Sequence, residues 1–284
     1  MEDQLTAAFI RTLLKPRDKF SHKGNYGHAL LVAGSHGKIG AAILAVTACL
    51  RSGIGLLTVH LPKCGYEIMQ GTNPEAMVQT DNGEKLIEDQ IMTKPFSAVG
   101  VGPGMDTDTI TQKALHYILT ENEKPLVLDA DALNSISLNK SWLDLIPANS
   151  ILTPHPKEFE RLAGETENDI VKHELQISFS KKYKLFIVLK GANTCITTPS
   201  GESYFNTTGN PGMAKGGSGD VLTGIITGLL AQGYSSLEAS LIGVFVHGLA
   251  GDLTADALGE TGMTSGDICK YLPLAFKQLY LPTN

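Results

Sequence analysis

Short apolar runs alternate with stretches of helical composition through the first two thirds of this chain, and most of the runs end in glycine or acidic residues. Residues 28–33 (HALLVA) form the first run, closing on Gly34. GKIGAAILAVTACLRSG then has the composition of a helix, with Gly53 suited to its C-cap. GLLTVHLP, EAMVQT and FSAVGVGPG read as three further strands, followed by a helix over residues 107–120. PLVLDADAL and SILTPH are strands, two helices fall between residues 156 and 183, and LFIVLKG is a further strand. Runs this short and this apolar suit buried strands. Their alternation with helices predicts an α/β fold, a mostly parallel sheet covered on both faces.

CITTPSGESYFNT departs from the alternation and reads as an antiparallel hairpin turning at Ser200-Gly201. Beyond it the pattern is helical, over about residues 217–232, 237–257 and 265–280, the last broken or kinked at Pro273. No Pro- or Ser-rich linker divides the chain and no fixed-period repeat occurs, so residues 1–284 read as one domain.

With a net charge of -6, nothing in the sequence points to the clustered basic face that nucleic acid binding requires. The N-terminal segment is amphipathic and lacks the apolar core and cleavage site of a signal peptide, and no apolar run approaches a membrane span. The cysteines, Cys49, Cys64, Cys195 and Cys269, are far apart, with no Cys-x-x-Cys pair for zinc. The expectation is a reduced, cytoplasmic protein with small-molecule partners and no membrane partner. Cys49 and Cys269 fall in apolar helical patterns and read as core.

In open parallel sheets, ligands bind beyond the carboxyl ends of the strands. Five segments at such ends are rich in Gly, Asp, His or Asn: GSHGKIG, GVGPG, DADALN, TPHPKE and KGANT. Turns need such residues in any case, which accounts for many of the glycines. It does not account for His155, Lys190 and Asn193 meeting at one sheet edge.

The most informative stretch is GNPGMAKGGSGDVLTG, residues 209–224. Gly216, Gly217 and Gly219 lead straight into an apolar helix. Glycine lets backbone N–H groups turn toward a ligand, and the helix N-terminus adds a positive dipole end. Together they suit a phosphate. A carboxylate at Asp220 repels an anion, but it can take a proton from an attacking hydroxyl. Alternatively, Asp220 caps the helix. The Walker A pattern is absent, since Gly37-Lys38 is followed by Ile39. The dinucleotide fingerprint of redox enzymes is weak, because the second strand ends TVHLP without an acidic residue.

Gly216-Gly217-Ser218-Gly219-Asp220 resembles the anion-hole motif of ribokinase-like sugar and vitamin kinases. With LTPHPKEFERL, VLKGANT, KGNYGHALLVAGS, VGVGPG and LDADALN, the chain resembles a narrower family, the NAD(P)H-hydrate dehydratases, from about residue 23 to residue 270. Some relatives carry an added N-terminal epimerase domain, for which this chain is too short. The resemblance implies a ribokinase-like three-layer α/β/α fold. It implies a lyase that uses ADP or ATP to phosphorylate the hydroxyl of a hydrated nicotinamide ring, after which phosphate leaves and NADH or NADPH returns. Single-domain relatives favour ADP.

By the same resemblance, Asp220 is the base and the backbone of Gly217 and Gly219 stabilises the transferring phosphoryl group. Lys190, Gly191, Ala192, Asn193 and Thr194 bind the nucleotide, completed by Asn210, Gly216 and Gly219. Gly104, Ala41 or Ala42, and His155 line the hydrate pocket. Glu158 organises Mg²⁺ through water, since that ion keeps much of its hydration. Otherwise Glu158 is an exposed first-turn glutamate and Lys190 a lysine reaching out from a strand end. Asp129 and Asp131 orient substrate or metal-bound water, with a helix N-cap equally open for Asp131, and Asn134 is a weaker candidate. His28, His36, His60, His247 and Met69 read as structural or surface residues. LIGVFVHGLAGDLTA reads as core or subunit interface, which allows a homo-oligomer. The alternatives are a vitamin-precursor kinase of the same fold and a nucleotide sensor without catalysis.

Overall fold

The structure is a computed structural model and describes residues 3–280. The chain begins with β1 (Asp3–Gln4) and α1 (Ala7–Leu13), which buries Ile10. The strands and helices read from the alternation follow: β2 (His28–Val32), α2 (Ile39–Arg51) and β3 (Leu56–Leu61). A short helix the pattern did not announce, α3 (Tyr66–Thr72), leads into β4 (Met77–Thr80). Next come β5 (Ala98–Val101), α4 (Thr109–Glu121), β6 (Leu126–Leu128) and α5 (Ala130–Leu138). β7 (Ile151–Leu152), α6 (Pro156–Ala163), α7 (Asp169–Tyr183) and β8 (Phe186–Leu189) complete the alternating part. The expected hairpin is β9 (Cys195–Thr197) and β10 (Ser203–Phe205), turning at Gly201 with φ +93°. Three helices end the chain: α8 (Ser218–Ala231), α9 (Ser236–Leu258) and α10 (Ser265–Tyr280).

The strands form one ten-stranded sheet in the order β1-β10-β9-β8-β7-β6-β5-β2-β3-β4. β9 runs antiparallel to both neighbours, and the other pairs are parallel. Helices α2, α8, α9 and α10 cover one face, while α4 to α7 cover the other with Leu115, Leu133, Phe159 and Phe179. This is the three-layer ribokinase-like architecture.

α10 runs through Pro273 instead of ending there, because Cys269, Leu272 and Ala275 are buried on either side of it. α9 is long and apolar enough to cross a membrane by length and composition alone, contrary to the reading of the apolar runs. Here it is a core helix, with Leu241, Ile242, Phe245 and Val246 buried against α8 and α10.

α8 lies at the centre of its layer, against α2 and across β2, β5 and β6. Small residues allow the approach. A Cβ at Gly224 would lie 2.1 Å from the Ala45 carbonyl oxygen, and one at Gly228 would lie 3.1 Å from the Cys49 oxygen. The contact fixes where the α8 N-terminus meets the sheet edge. Gly224→Ala is therefore expected to destabilise the fold by about 1–3 kcal/mol through overpacking. Gly71→Ala, which points into open space on α3, is expected to be neutral or to gain up to about 1 kcal/mol from helix propensity. Urea unfolding midpoints of the two variants provide the comparison.

Candidate active site

The loops after β2, β5, β6, β7 and β8 meet the start of α8 at the carboxyl edge of the sheet. Lys190 follows β8 and Asp129 follows β6, and their side chains pair at 2.7 Å. The second Asp129 oxygen accepts the Thr223 hydroxyl of α8 at 2.8 Å. Burial opposes ionisation of Asp129, but the Lys190 charge and hydrogen bonds from Lys190, Thr223 and Thr153 outweigh it and hold the carboxyl below its usual range. Burial likewise opposes the Lys190 charge. The carboxylates of Asp129, Glu158 and Asp220 more than offset it, raising the ammonium above its usual range. Lys190 is thus a paired, largely buried cation and not a lysine reaching into solvent.

α8 starts in a tight turn. Gly217 has φ +91°, and a Cβ there would lie 2.4 Å from Leu44 Cδ1. It is the N-cap residue, with no side-chain capping bond. The first amides of the helix are therefore left without a side-chain partner, as an anion site requires. Gly219 faces the ion pair: a Cβ there would meet Lys190 Nζ at 3.0 Å. Asp220 is the third residue of α8 and not its cap. Among the described residues, no hydrogen bond or ion pair engages its carboxylate. Burial, then the negative charge of Asp129, push its pKa up to about 7, with Lys190 opposing the rise. A general base poised near neutrality suits proton transfer.

Glu158 differs from the exposed first-turn glutamate weighed above. It is 5% exposed and locked in a reciprocal cap, accepting from His155 N at 2.8 Å while His155 Nδ1 accepts from Glu158 N at 3.3 Å. Pro156 at the first helical position pre-forms this turn. Burial lowers the His155 pKa; Glu158 opposes that shift, and Lys190 and Arg161 add to it. The ring stays neutral near pH 7, as its accepting Nδ1 demands.

The Lys190 ammonium also lies 3.9 Å from Glu158. Asp131 is not the N-cap of α5; Asp129 holds that position, its side chain spent on Lys190 and Thr223 and making no capping bond. Asp131 instead pairs with Lys38 at 3.2 Å and accepts from Asp106 N at 2.9 Å. Asn134 bridges Asp131 and Arg161, away from the cradle.

A cavity of about 780 Å³ opens beside the cradle, within the range of ligand pockets. Its polar walls include every residue expected to hold a nucleotide: Lys190, Gly191, Ala192, Asn193, Thr194, Asn210, Gly216 and Gly219, together with His155. Its apolar floor is Leu222 and Val244 with His247. Gly217, Asp220, Glu158, Ala41, Ala42 and Gly104 are not among its walls. Gly104, at φ +61°, leaves room for Ala41, since a Cβ on it would sit 2.9 Å from the Ala41 Cβ. Ala42 is fully buried in the core, so Ala41 is the member of that pair nearer the surface.

His247 was read as structural or surface and in fact lines the cavity. Its Nε2 lies 3.3 Å from Ser218 Oγ, and burial, then the Lys190 charge, drive its pKa down to about 4, leaving it uncharged. The available signal was a lone imidazole in an otherwise apolar stretch. Thr223 was also missed, as its role depends on Asp129, far off in sequence. His28 and His60 are structural: His28 bonds Thr58, and His60 bonds Asp81 at 2.7 Å.

A mostly parallel sheet that carries a glycine cradle, a half-buried carboxylate and a Lys–Asp pair at its carboxyl edge defines a ribokinase-like, nucleotide-binding protein. Comparison with known proteins narrows the class. Residues 29–274 match the family model described as NAD(P)H-hydrate dehydratase, and the chain belongs to that family. It is 38% identical over 288 residues to a bifunctional NAD(P)H-hydrate repair enzyme of Moorella thermoacetica, covering 97% of this chain and 54% of that protein. The chain spans about half the length of such bifunctional relatives. It is 34% identical to the ADP-dependent (S)-NAD(P)H-hydrate dehydratase of Bacillus subtilis, covering 96% of this chain and 97% of that one. The crystal structure of the ADP/ATP-dependent dehydratase of B. subtilis, co-crystallised with ATP/Mg²⁺, superimposes with a TM-score of 0.84 at 32% identity, covering 98% of this chain and 99% of that one.

The raised Asp220 pKa has a thermodynamic consequence. An unfolded aspartate ionises near 3.8, and in the fold the proton is held up to about 7. The site therefore costs increasing stability as pH rises from about 4 to about 7, and a constant amount above that. Asp220→Asn is expected to raise Tm over wild type at pH 8, with the gain shrinking toward pH 5. Thermal melts across that range check it, and an unchanged or lowered Tm at pH 8 would contradict the burial of a strained charge.

Proposed function

We propose that the chain restores NADH and NADPH from the S-form of their hydrates, with ADP or ATP as phosphoryl donor. The observation that carries this reading is the Asp220 carboxylate. It follows the cavity-lining Gly219 at the start of α8, has no hydrogen-bond partner among the described residues, and has its pKa raised to about 7 by burial and the Asp129 charge. A nucleotide sensor has no use for a half-buried base repelled by the phosphates it binds.

The steps follow from the positions. Lys190 and the open amides of Gly217 and Gly219 draw the terminal phosphates and face the phosphoryl group as its charge develops. Asp220 takes the proton of the ring hydroxyl, whose oxygen attacks the terminal phosphorus. The bond to the bridging oxygen breaks, and AMP leaves from ADP, or ADP from ATP. In the phosphorylated ring, the carbon–oxygen bond then breaks with loss of phosphate, and the adjacent carbon gives up a proton. The products are the reduced nicotinamide ring and inorganic phosphate. Neutral His155 and the small pair Gly104 and Ala41 border the face where the ring is held.

The residues present fit a hydrated Mg²⁺. Both Asp129 oxygens are engaged, leaving Glu158 as the hard carboxylate beside Lys190, one oxygen already accepting the His155 amide. Contact through water suits that partial occupancy. Such an ion would neutralise phosphate charge.

The reading takes residues 1–284 as one domain, which the continuous sheet supports. A cytoplasmic, homo-oligomeric enzyme belongs to the same reading. Cysteines set far apart in the sequence suit a reducing compartment, and exposed Leu258 and Leu274 on α9 and α10 offer apolar surface to a second copy.

The deciding assay supplies prepared NADH hydrate with ADP or ATP and magnesium and follows the absorbance of the reduced ring, with vitamin-precursor alcohols in parallel. Turnover of those alcohols but not of the hydrate would make the chain a kinase. Asp220→Asn is expected to lose on the order of 10²–10⁴ in turnover while still binding nucleotide. Retained turnover would reject Asp220 as the base.

Since the base acts only when unprotonated, kcat/KM is expected to fall as pH drops through about 7. Asp129→Asn removes a repelling charge from Asp220 and is expected to move that limb to lower pH. An unmoved limb in the pH–rate profile would assign it to another group.

A further inference from the structure

Lys215 directly precedes the cradle, where a lysine beside a phosphate site ordinarily reaches for the phosphates. Its ammonium is turned away. Nζ donates to the carbonyl oxygens of Glu260 at 3.1 Å, Thr261 at 2.9 Å and, closest, Met263. Its three donors are matched by three acceptors. Among the described residues no carboxylate pairs with it.

Those carbonyls belong to the loop joining α9 to α10, just past the negative end of the α9 dipole. The same loop and the first residue of α10 meet the cradle at other points. Ser265 Oγ donates to the Gly216 carbonyl at 2.8 Å. A Cβ at Gly212 would lie 2.8 Å from Glu260 Cα, and one at Gly217 would lie 3.3 Å from the Ser265 side chain. The cradle thus rests on a wall, and one tie to that wall is a cation held by three carbonyl dipoles.

We propose that Lys215 is a positioning residue for the phosphate cradle: by pinning the α9–α10 loop behind residues 212–217, its ammonium sets the direction of the amides at the start of α8. The proposal rests on the reading of that cradle as the nucleotide phosphate site. Lys215 lies along the cavity wall, but its ammonium is spent on the loop carbonyls and is not a phosphate ligand. It acts through the peptide groups it holds in place, so a small amine bound in the same ring of carbonyls replaces it.

The test uses the full chain with two variants. Lys215→Ala removes the side chain and leaves the ring of carbonyls open. Lys215→Met removes the charge but fills the space with a stem of similar length. Affinity for ATP with magnesium is measured by calorimetric titration, with and without methylammonium, alongside thermal melts. Both variants are expected to lose about tenfold or more in affinity. Methylammonium is expected to restore Lys215→Ala in a saturable way and to leave Lys215→Met and wild type unchanged. Wild-type affinity in either variant overturns the proposal, as does a loss in Lys215→Ala that methylammonium leaves untouched. If Lys215→Ala does not fold, Lys215→Met carries the affinity comparison. The titration needs no hydrate. A wild type that binds ATP but turns over no NADH hydrate would therefore count against the proposed reaction and not against Lys215.

Discussion

One buried ion pair holds the site together. Lys190 and Asp129 stand at the ends of β8 and β6, on either side of β7, and Asp129 reaches on to Thr223 in α8. Three elements distant in sequence are thereby locked at the carboxyl edge of the sheet, and the cradle is carried there by α8 itself. The pair also sets the electrostatics. A single cation faces Asp129, Glu158 and Asp220, with Asp131 beyond. It cannot neutralise them all. Burial first, and then the uncompensated charge of its neighbours, act on Asp220, the carboxylate without a hydrogen-bond partner, which therefore holds its proton to near neutrality. The property that suits it to act as a base is set by its burial together with its neighbours' prior claim on Lys190.

Binding follows from the same arrangement. The cavity beside the cradle presents amides, Asn side chains and Lys190 on one wall and aliphatic carbons with a neutral imidazole on its floor. Phosphates can be received by backbone donors at a helix start while the rest of the ligand meets a mostly apolar surface. His247 stays neutral because it is buried near Lys190, so it adds a polar contact without adding charge.

Much of this was legible in sequence wherever the cause was local. Strand–helix alternation gave the layers, and Ser200-Gly201 marked the hairpin. The glycines before Asp220 marked the cradle, and the KGANT and HPKE strings marked two of its neighbours. What escaped depended on pairings across the fold. The N-cap position left open for Asp131, because an acidic residue after a strand often takes it, falls to Asp129 instead. Ala130 enters the helix with φ +49°, which no composition announces for an alanine. For Glu158 the sequence left an exposed first-turn position open beside the magnesium role, because its burial comes from packing at the sheet edge. Ala41 and Ala42 could not be separated until the rotation of α2 was known. Lys215 pairs with carbonyls some 45 residues on, and carbonyls leave no trace in a residue string.

The glycine contact between α8 and α2 bears on how such a site can adapt. Where two helices touch backbone to backbone, neither can roll or slide without separating, so α8 behaves as a fixed post. Accommodation of a ligand then falls to the connecting segments around it. Divergence toward other alcohol substrates has the same outlet: the loops after β2 and β5 can vary, while the helix bearing the carboxylate stays where its glycines seat it.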